Sequence, residues 1–539
     1  MGATYMNKSF SIARLVAAPI VALLLGAAGH AAVPGITGPT FNLNAGTGNI
    51  NQPDGNQVYT WGYGCNGAPT ATAPTAIGVV PCPMMQIPGP TLIVTEGQTV
   101  TVNLLNNLPA AAGNTSILFP GFVVTATGGV PGLLTQEAVH LGTVSYTFVA
   151  NSPGTHAYYS GTQGDLQVEM GLYGAVIVLP STTPTVCSTG LPLAAPGNNA
   201  TAKSTWGEPD FRLAAAAFDS PKTCYDREYL FQWAEMDPRI HNAVQAQVTA
   251  NPNARLNVAT EPYRPAYFLI NGRSMPDLMD PNFAAEYPNQ PYNANPHVHP
   301  GEMMLIRTIG QGRWQHPFHE HANHVRILAR DGNMQLAPNG TDLAGLLMFD
   351  TDTTPGEAFD GIFYFSGRGL NWDMFGHHPG DTSDPLASLP CTPEANGYNT
   401  GAPTAVNYFE WRQDHNKPVE VNPIGDVPAG GPMTLPNPNI FTNGAWYGGT
   451  PYFGPDASLR GGGTQACVSS TGSTAANQAS ACTPLQPANT QANPSNERGW
   501  AFMWHSHNER EITTNNVFPG GMLMMMLVDS REFVIDETK

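Results

Sequence analysis

The stretch TLIVTEGQTVTVNLLNNL (91–108) indicates how this chain folds. It contains two apolar runs, the continuous LIV (92–94) and the alternating TVTVNL (99–104), and the sequence EGQ lies between them. Alternation with a period of two is typical of β-strands, and a break that contains glycine is typical of a turn between them. The stretch therefore predicts two consecutive β-strands joined by a short turn.

Similar runs on both sides of this stretch predict a first β-sandwich over 40–180. They include SYTFVA (145–150) and YGAVIVL (173–179), each bounded by residues that favour turns. The segment 181–225 begins with a stretch rich in Thr, Pro, Ala and Gly, which is typical of a linker.

A second β-rich region is predicted over 226–365 and 498–535. Its candidate strands are EYLFQW (228–233), AYFLING (266–272), EMMLIRTI (302–309), HVRILARDG (324–332), FDGIFYF (359–365), GWAFMWHSH (499–507) and GGMLMMMLV (520–528). The residues 366–497 between the two parts lack strand patterning and are too many for an ordinary connection, so they are interpreted as an insertion.

The composition agrees with an all-β protein that has long loops. The chain contains 57 Gly and 50 Pro, while charged residues make up only 12%. Its 22 Lys and Arg stand against 40 Asp and Glu, a formal net charge of −18. A chain of this charge repels phosphate backbones, so nucleic acid is not expected as a partner.

The N-terminal segment 1–31 has the pattern of a secretory signal peptide. Basic residues come first, then the apolar run LVAAPIVALLLGAA (15–28), then small residues that suit cleavage. This run is too short to span a bilayer, and no other stretch approaches that length. The sequence thus predicts an exported protein without a membrane span, either periplasmic or extracellular.

All seven cysteines lie beyond this segment, and export favours disulfide bonds among them. Neighbours in the sequence suggest the pairs 65–82, 187–224 and 467–482, which leaves Cys391 over. Sequence alone does not fix the connectivity.

Two His-x-His motifs are the strongest functional signal. His319 and His321 lie in QHPFHEHANH (315–324), and His505 and His507 lie in WHSH. Alternate residues of a strand point to the same face, so two such strands side by side present four imidazoles to one pocket, with Glu320 and Ser506 turned away. Neutral imidazoles suit copper, and zinc less selectively. A single His-x-His motif usually arises by chance on a surface or in a core. Two such motifs at strand ends favour a metal site.

The chain resembles the multicopper oxidases, whose domains are cupredoxin barrels. The resemblance rests on PGPTLIVTEGQTVTVNLLNNL (88–108) and on the run from 132 to 178 in the first barrel. In the second barrel it rests on FLINGRSMPD, GEMMLIR, HPFHEHANHVRILARDG and the closing WHSHNERE and GGMLMMMLV. It implies two cupredoxin-like Greek-key β-sandwich barrels, the second interrupted by the insertion.

The functional residues of that family are only partly present. Members with a three-copper cluster take two His-x-His motifs from one barrel and two from another. The second barrel has its pairs, His319 with His321 and His505 with His507. In the first barrel the corresponding positions are occupied by Leu118, Pro120, Tyr159 and Gly161.

The blue-copper site of the family is also incomplete. His316 falls where the resemblance places one of its ligands. Ser506 replaces the cysteine, Glu511 the second histidine and Asn516 the axial methionine. Because a hydroxyl cannot supply the thiolate bond of a blue site, a blue oxidase is not expected.

The sequence thus predicts a copper-dependent oxidoreductase with a type 2-like site, in which histidines hold the metal without a thiolate. The ligands are His319, His321, His505 and His507, with His316 and His324 as accessory candidates. Glu320, Glu509 and Glu511 are the weaker candidates for proton transfer or support of a ligand.

The expected partner is a small-molecule or metal-ion reductant, with dioxygen as a second candidate. The sequence leaves open whether the chain forms a homo-oligomer. The alternatives are a non-catalytic copper-binding or scaffold protein and, less favoured, a structural β-protein without metal.

Overall fold

The structure, a computed structural model, describes residues 32–189, 208–299, 301–365, 449–452, 499–529 and 535–537. In this part of the chain the strands form four large sheets and one two-stranded ribbon, which confirms the predicted all-β class. The α-helices are α1 (Gly164–Gln167), α2 (Val186–Thr189) and α3 (Pro238–Ala250), and short 3-10 helices span Thr75–Ile77, Ala110–Ala112, Pro221–Thr223 and Asp277–Met279. None of these helices is long and apolar enough to cross a bilayer.

The first barrel is built from strands β1 to β12. They are β1 (Gly35–Thr37), β2 (Thr40–Asn51), β3 (Gln57–Cys65), β4 (Ala71–Ala73), β5 (Leu92–Thr95), β6 (Thr99–Asn106), β7 (Thr125–Thr127), β8 (Val130–Pro131), β9 (Gln136–Glu137), β10 (Thr143–Val149), β11 (Gly154–Tyr159) and β12 (Tyr173–Leu179). One sheet has the order β11-β12-β5-β1-β4 and the other the order β3-β2-β6-β10-β7.

The predicted strands of 91–108 are β5 and β6, and they lie in different sheets. The turn between them therefore crosses from one sheet to the other. Gly97 has a φ of +85° in this turn, a conformation that favours glycine. Along β6 every second residue from Val100 to Asn106 is buried, as the alternation predicts.

The second barrel contains strands β13 to β25. They are β13 (Arg227–Met236), β14 (Tyr267–Ile270), β15 (His297–Val298), β16 (Met303–Gly310), β17 (His316–Glu320), β18 (Val325–Arg330), β19 (Asn333–Met334), β20 (Leu347–Met348), β21 (Asp350–Thr353), β22 (Ala358–Tyr364), β23 (Gly449–Tyr452), β24 (Gly499–Ser506) and β25 (Leu523–Asp529).

The sheet that carries the histidine motifs has the order β15-β25-β24-β17-β21, and β23 also pairs with β24. It packs against the sheet β14-β13-β16-β22-β18-β19 through a core that includes Phe231, Trp233, Phe318 and Trp504. Strand β24 lies beside β17 although the two are far apart in sequence, so the resumed strand pattern after 498 completes the second barrel.

Two of the predicted disulfides are present, Cys65–Cys82 and Cys187–Cys224. The pair 467–482 and Cys391 lie outside the described residues, as do the predicted signal peptide 1–31 and the insertion 366–497 apart from β23.

Candidate metal centre

The two histidine-bearing strands lie side by side and have two different faces. In the antiparallel pair β17–β24, His319 is directly opposite His505, Phe318 is opposite Ser506 and Glu320 is opposite Trp504. The core face carries the fully buried side chains of Phe318, Glu320, Trp504 and Ser506. Because residues alternate between faces, His319 and His505 occupy the outer face, and Glu320 and Ser506 point away from it as predicted.

Three of the predicted ligands converge on this outer face. Ring nitrogens of His319, His321 and His505 all lie within 4.8 Å of one another. The Nε2 atoms of His321 and His505 are 3.2 Å apart. His507 adjoins the group, with its ring centroid 4.7 Å from that of His319 and 5.8 Å from that of His505.

Hydrogen bonds to the backbone fix the tautomers of two of these rings. The Nδ1 of His319 lies 2.7 Å from the carbonyl oxygen of Phe349, and the Nδ1 of His505 lies 2.7 Å from the carbonyl oxygen of Ser506. A carbonyl only accepts hydrogen bonds, so each Nδ1 carries the proton and donates it. Each Nε2 in the neutral ring therefore keeps its lone pair.

The surroundings favour the neutral form of these imidazoles. Burial lowers the pKa of His319 to about 4, with further lowering from the neighbouring His321, His505 and His507. Burial also lowers the pKa of His505, and the neighbouring His321 and His507 lower it further. Both rings are thus neutral near pH 7, which is the state that binds a metal ion.

The donor set fits copper in charge and spacing. Nitrogen ligands about 2.0–2.1 Å from a metal ion, as in zinc sites, stand roughly 3 Å from each other. The 3.2 Å between the Nε2 atoms of His321 and His505 is of that size. Neutral imidazoles suit copper, and the hydrogen bonds from Nδ1 are of the kind that orient ligating histidines.

His324 lies beside this group rather than in it. Its ring contacts the ring of Phe349 at a centroid distance of 5.3 Å, and Phe349 also contacts His319. Burial lowers the pKa of His324, and its buried Nδ1 has no hydrogen-bond partner among the described residues.

His316 occupies the core face and is engaged by two carboxylates. Its Nδ1 lies 2.8 Å from an Oε2 of Glu511, and its Nε2 lies 2.8 Å from an Oε2 of Glu235. Although burial lowers its pKa, the two hydrogen bonds and the two charges raise the pKa to about 9. A protonated imidazole has no lone pair with which to bind a metal ion. His316 therefore differs from the four outer histidines and forms a buried ion cluster with Glu235 and Glu511.

Two of the predicted acidic candidates, Glu320 and Glu511, are buried on the core side of the strand pair. Glu320 is buried, accepts a hydrogen bond from Thr351, and has a pKa raised well above its usual value by burial. Glu511 accepts hydrogen bonds from Ser506 and Asn508 in addition to its contact with His316. Glu509 is exposed in the loop after β24. None of these contacts supports a role in proton transfer at the histidines.

The corresponding positions of the first barrel adjoin one another but hold no imidazole. Leu118 and Tyr159 form an isolated β-bridge, with a 2.8 Å hydrogen bond from the Leu118 N–H to the Tyr159 carbonyl. The Leu118 side chain lies so close to Gly161 that a Cβ added there would meet it at 2.8 Å. Apolar packing of Leu118 against Gly161 thus occupies two of these four positions.

A second cluster of potential ligands, formed by Glu208, His299 and Glu302, is buried elsewhere in the second barrel. The guanidinium of Arg227 forms ion pairs with both carboxylates. His299 Nε2 lies 2.8 Å from Glu208. The arginine already supplies the positive charge that these carboxylates need, so the cluster is explained as a buried ion-pair network.

Sequence reasoning missed the residues that flank the histidines from other strands. Asp350 is the first residue of β21, and Phe349 directly precedes it; the register of β21 places Asp350 directly opposite His319. The sequence FDTDT (349–353) shows the alternation of a strand but does not show which strand it pairs with. Glu235 likewise reaches His316 from β13, which is distant in sequence.

Comparison with known proteins gives a family-model match in the first barrel and short matches to two proteins. A multicopper oxidase family model matches residues 83–183. Over 99 residues, 18% of this chain, the sequence is 38% identical to "Multicopper oxidase MCE" of Talaromyces pinophilus, and the match covers 15% of that protein. Over 93 residues it is 38% identical to "Copper resistance protein A" of Escherichia coli, covering 14% of that protein.

Alignments with solved structures cover most of the chain at low identity. The multicopper oxidase mgLAC aligns over 92% of this chain and 88% of its own, with 14% identity and a TM-score of 0.43. A blue copper oxidase from Nitrosomonas europaea aligns over 90% and 85%, with 14% identity and the same TM-score of 0.43. The family-model match falls on the barrel that lacks the histidine motifs.

Proposed function

We propose that this chain, a cupredoxin-fold member of the multicopper oxidase family, is an exported protein that holds one or two copper ions at a type 2-like site in its second barrel. The ligands in this proposal are His319, His321, His505 and His507. The observation that carries it is the convergence of three imidazole nitrogens within 4.8 Å on one face of the sheet. The signal-like pattern of 1–31 supports export.

The proposed activity is the one-electron oxidation of a small reductant or a metal ion, with dioxygen as the candidate oxidant. Copper, when bound, supplies the one-electron redox chemistry. The chain's own contribution is to hold the ligands as neutral rings of fixed tautomer, through the carbonyls of Phe349 and Ser506. On the core side, Phe318 and Trp504 are fully buried, so they exclude water from beneath the site.

Among the described residues, the outer side of the proposed site is partly exposed. His507 is exposed, and His321 and His505 are half-buried. We propose that a small reductant approaches the ligands from this side. No acidic side chain among Glu320, Glu509 and Glu511 contacts these rings in the described structure, so the proposal assigns proton transfer to solvent.

A non-catalytic copper-binding protein is the second candidate. It is favoured by the loss of the blue-copper ligands at Ser506, Glu511 and Asn516. The engagement of His316 with Glu235 and Glu511 favours it as well. Without a blue copper, the face of four histidines has no companion centre that feeds it electrons. Such a protein would bind or buffer copper outside the cytoplasm.

The ligand assignment is tested by the double substitution His505→Ala with His507→Ala. We expect the copper content to fall to background, because two of the four nitrogens are removed from a site built on backbone that the variant retains. His140→Ala is the matched control, since His140 is exposed in the first barrel and bonds only its own barrel's backbone, at Leu108. Retention of copper by the double variant would contradict the assignment.

The two candidate functions are separated by turnover. Oxygen consumption by the copper-loaded protein is measured with Mn(II), Fe(II), Cu(I) and a phenol in turn. Consumption that the double variant lacks supports an oxidase. Stoichiometric copper binding without consumption for any reductant supports the binding protein.

A further inference from the structure

A cleft lies between the two barrels, and its volume is about 500 Å³. That volume is within the range of sites that bind small molecules. None of the described residues that line the cleft is a proposed copper ligand. The first barrel contributes Gly121, Ser152 and His156 to its walls, and the second barrel contributes Asp331, Asn333 and Gly356.

Contacts between the barrels hold the turn 331–332 against the first barrel. The hydroxyl of Ser152 donates a 3.2 Å hydrogen bond to the carbonyl oxygen of Gly332. Gly332 has a φ of +73°, and a Cβ added there would collide with Ser152 and His156. Asp331 has a φ of +47°, and its Oδ1 accepts a 2.8 Å hydrogen bond from the N–H of Ala358. Aspartate is one of the few residues that tolerate this conformation.

The floor of the cleft carries an imidazole nitrogen with an unused lone pair. His156 is only 2% exposed, and its Nε2 lies 2.8 Å from the carbonyl oxygen of Ser152. Nε2 therefore carries the proton, and Nδ1 is an acceptor. Nδ1 is the ring atom nearest to Gly121, 3.4 Å from where a Cβ would lie, and it makes no hydrogen bond with any described residue. Burial lowers the pKa of His156 more than its hydrogen bond and two nearby aspartates raise it, so the ring is neutral near pH 7.

The second barrel adds two further acceptors at the rim of the cleft. Asp331 is exposed, and of its two carboxylate oxygens only Oδ1 has a hydrogen-bond partner in the described part of the chain. Asn333 donates its Nδ2–H to the carbonyl oxygen of Asp331, which leaves the side-chain oxygen of Asn333 as an acceptor. Acceptors therefore line the cleft from both barrels.

Asp331 also gives the cleft its negative charge. Two other carboxylates of the second barrel interact with the groups of the cleft, Glu357 with Asp331 and Asp360 with His156. Glu357 is paired with Arg330, and Asp360 is paired with Arg307. Asp331 forms no ion pair within the described residues, so its charge favours a positively charged ligand.

We propose that the cleft binds a small organic cation with N–H donors, a guanidinium or an ammonium compound. Its charged group pairs with Asp331, and one of its N–H groups donates to Nδ1 of His156. Hydrogen bonds between charged groups are stronger than those between neutral ones, so a neutral molecule of the same shape binds more weakly. An anion would meet the carboxylate of Asp331 at close range. The proposal does not depend on copper at the four histidines.

The test compares methylguanidinium with methylurea. Both are small and planar and carry N–H donors, but only methylguanidinium is charged, and neither is a good ligand for copper. Their binding to the full chain is measured by nuclear magnetic resonance titration at millimolar concentrations. We expect saturable binding of methylguanidinium, and affinity for methylurea about tenfold lower or less.

The role of the carboxylate is tested by Asp331→Asn, with Asp165→Asn as the matched control. Asparagine tolerates the φ of Asp331 and keeps a side-chain oxygen for the N–H of Ala358, so the turn should be retained. Asp165 is exposed on α1 and does not line the cleft, so its substitution removes one negative charge elsewhere. We expect the affinity for methylguanidinium to fall about tenfold in Asp331→Asn and to stay unchanged in Asp165→Asn.

The role of the imidazole is tested by His156→Gln. The side-chain amide of glutamine can donate to the carbonyl of Ser152 in place of Nε2, while the acceptor at Nδ1 is lost. We expect affinity for methylguanidinium roughly 3- to 10-fold lower. A second readout uses the wild-type protein, in which the ¹⁵N resonance of His156 Nδ1 should shift on saturation with methylguanidinium.

Four results would each overturn the proposal. They are no saturable binding of methylguanidinium by the wild type, equal binding of the two probes, equal affinities of Asp331→Asn and Asp165→Asn, and an unchanged Nδ1 resonance at saturation. Each of them leaves the proposed copper site untouched, because that site is tested by its own metal content.

Discussion

The two faces of the strand pair β17–β24 use histidine in opposite ways. On the outer face, His319 and His505 donate to carbonyls and have lowered pKa values. On the core face, His316 lies between Glu235 and Glu511 and has a pKa raised to about 9. One strand, β17, supplies histidines to both faces.

The difference follows from what each ring nitrogen faces. A backbone carbonyl is uncharged, so it fixes the tautomer and leaves the second nitrogen with a lone pair for a metal. Carboxylates on both sides stabilise the imidazolium, which has no lone pair to offer. The partners of a histidine, more than its place in a motif, therefore decide whether it is a candidate ligand.

The largest effect is expected from breaking the core-face cluster by Glu235→Gln. Removal of one carboxylate leaves a buried imidazolium with a single charged partner, and breaking a buried ion pair in this way typically costs about 3–5 kcal/mol. Chemical denaturation measures the loss of unfolding free energy. If the two faces of the strand pair act separately, Glu235→Gln protein that remains folded binds copper with unchanged affinity.

The matched control is Glu261→Gln. Glu261 pairs with Arg313 at the surface and its side chain is 69% exposed, so its loss should cost less than about 1 kcal/mol. A similar cost for both variants would contradict the picture of a buried ion cluster around His316.

A second effect is the pH dependence of stability that His316 contributes. Its pKa of about 9 in the folded protein exceeds the ordinary value of 6.5. The stabilisation is therefore complete below pH 6.5 and is lost as the pH rises through about 9. Its size is on the order of 3 kcal/mol.

Comparison of the wild type with His316→Gln measures this contribution. The difference in unfolding free energy should shrink between pH 6.5 and pH 9, since glutamine does not titrate. A difference that stays constant, or that grows with pH, would show that His316 is not held as a cation.

The smallest effect is expected from Ser506→Cys, which restores the thiol of the family's blue-copper motif. The hydroxyl of Ser506 donates to Glu511 at 2.5 Å, and losing this hydrogen bond should cost about 1 kcal/mol. No blue-copper absorption should appear on copper loading, because Glu511 stands where a second histidine is needed. A blue band would show that the core face still holds a latent copper site.

Much of the fold was predictable because alternation acts locally. The period-two pattern predicted β5, β6 and the orientation of Glu320 and Ser506 away from the histidines. Short sequence separation also suggested the two disulfides that are present. The route of the chain was less accessible, since the pattern of 91–108 does not show that its two strands belong to different sheets.

The candidate site was predictable only along its own strands. His319, His321, His505 and His507 could be grouped from two motifs, since each motif fixes a face. His316 was grouped with them through the family resemblance, whereas the structure places two carboxylates against it. The partners Glu235 and Asp350 come from strands whose pairing depends on the assembled barrel, so no local pattern identifies them.

The central claim, that the outer face holds copper and the core face does not, is tested most directly by the wild-type protein. Its copper content is measured together with its electron paramagnetic resonance spectrum after loading and removal of loosely bound metal. We predict one or two coppers per chain, with a type 2 signal and no blue-copper signal. A blue-copper signal, three or more coppers per chain, or no retained copper would contradict the account.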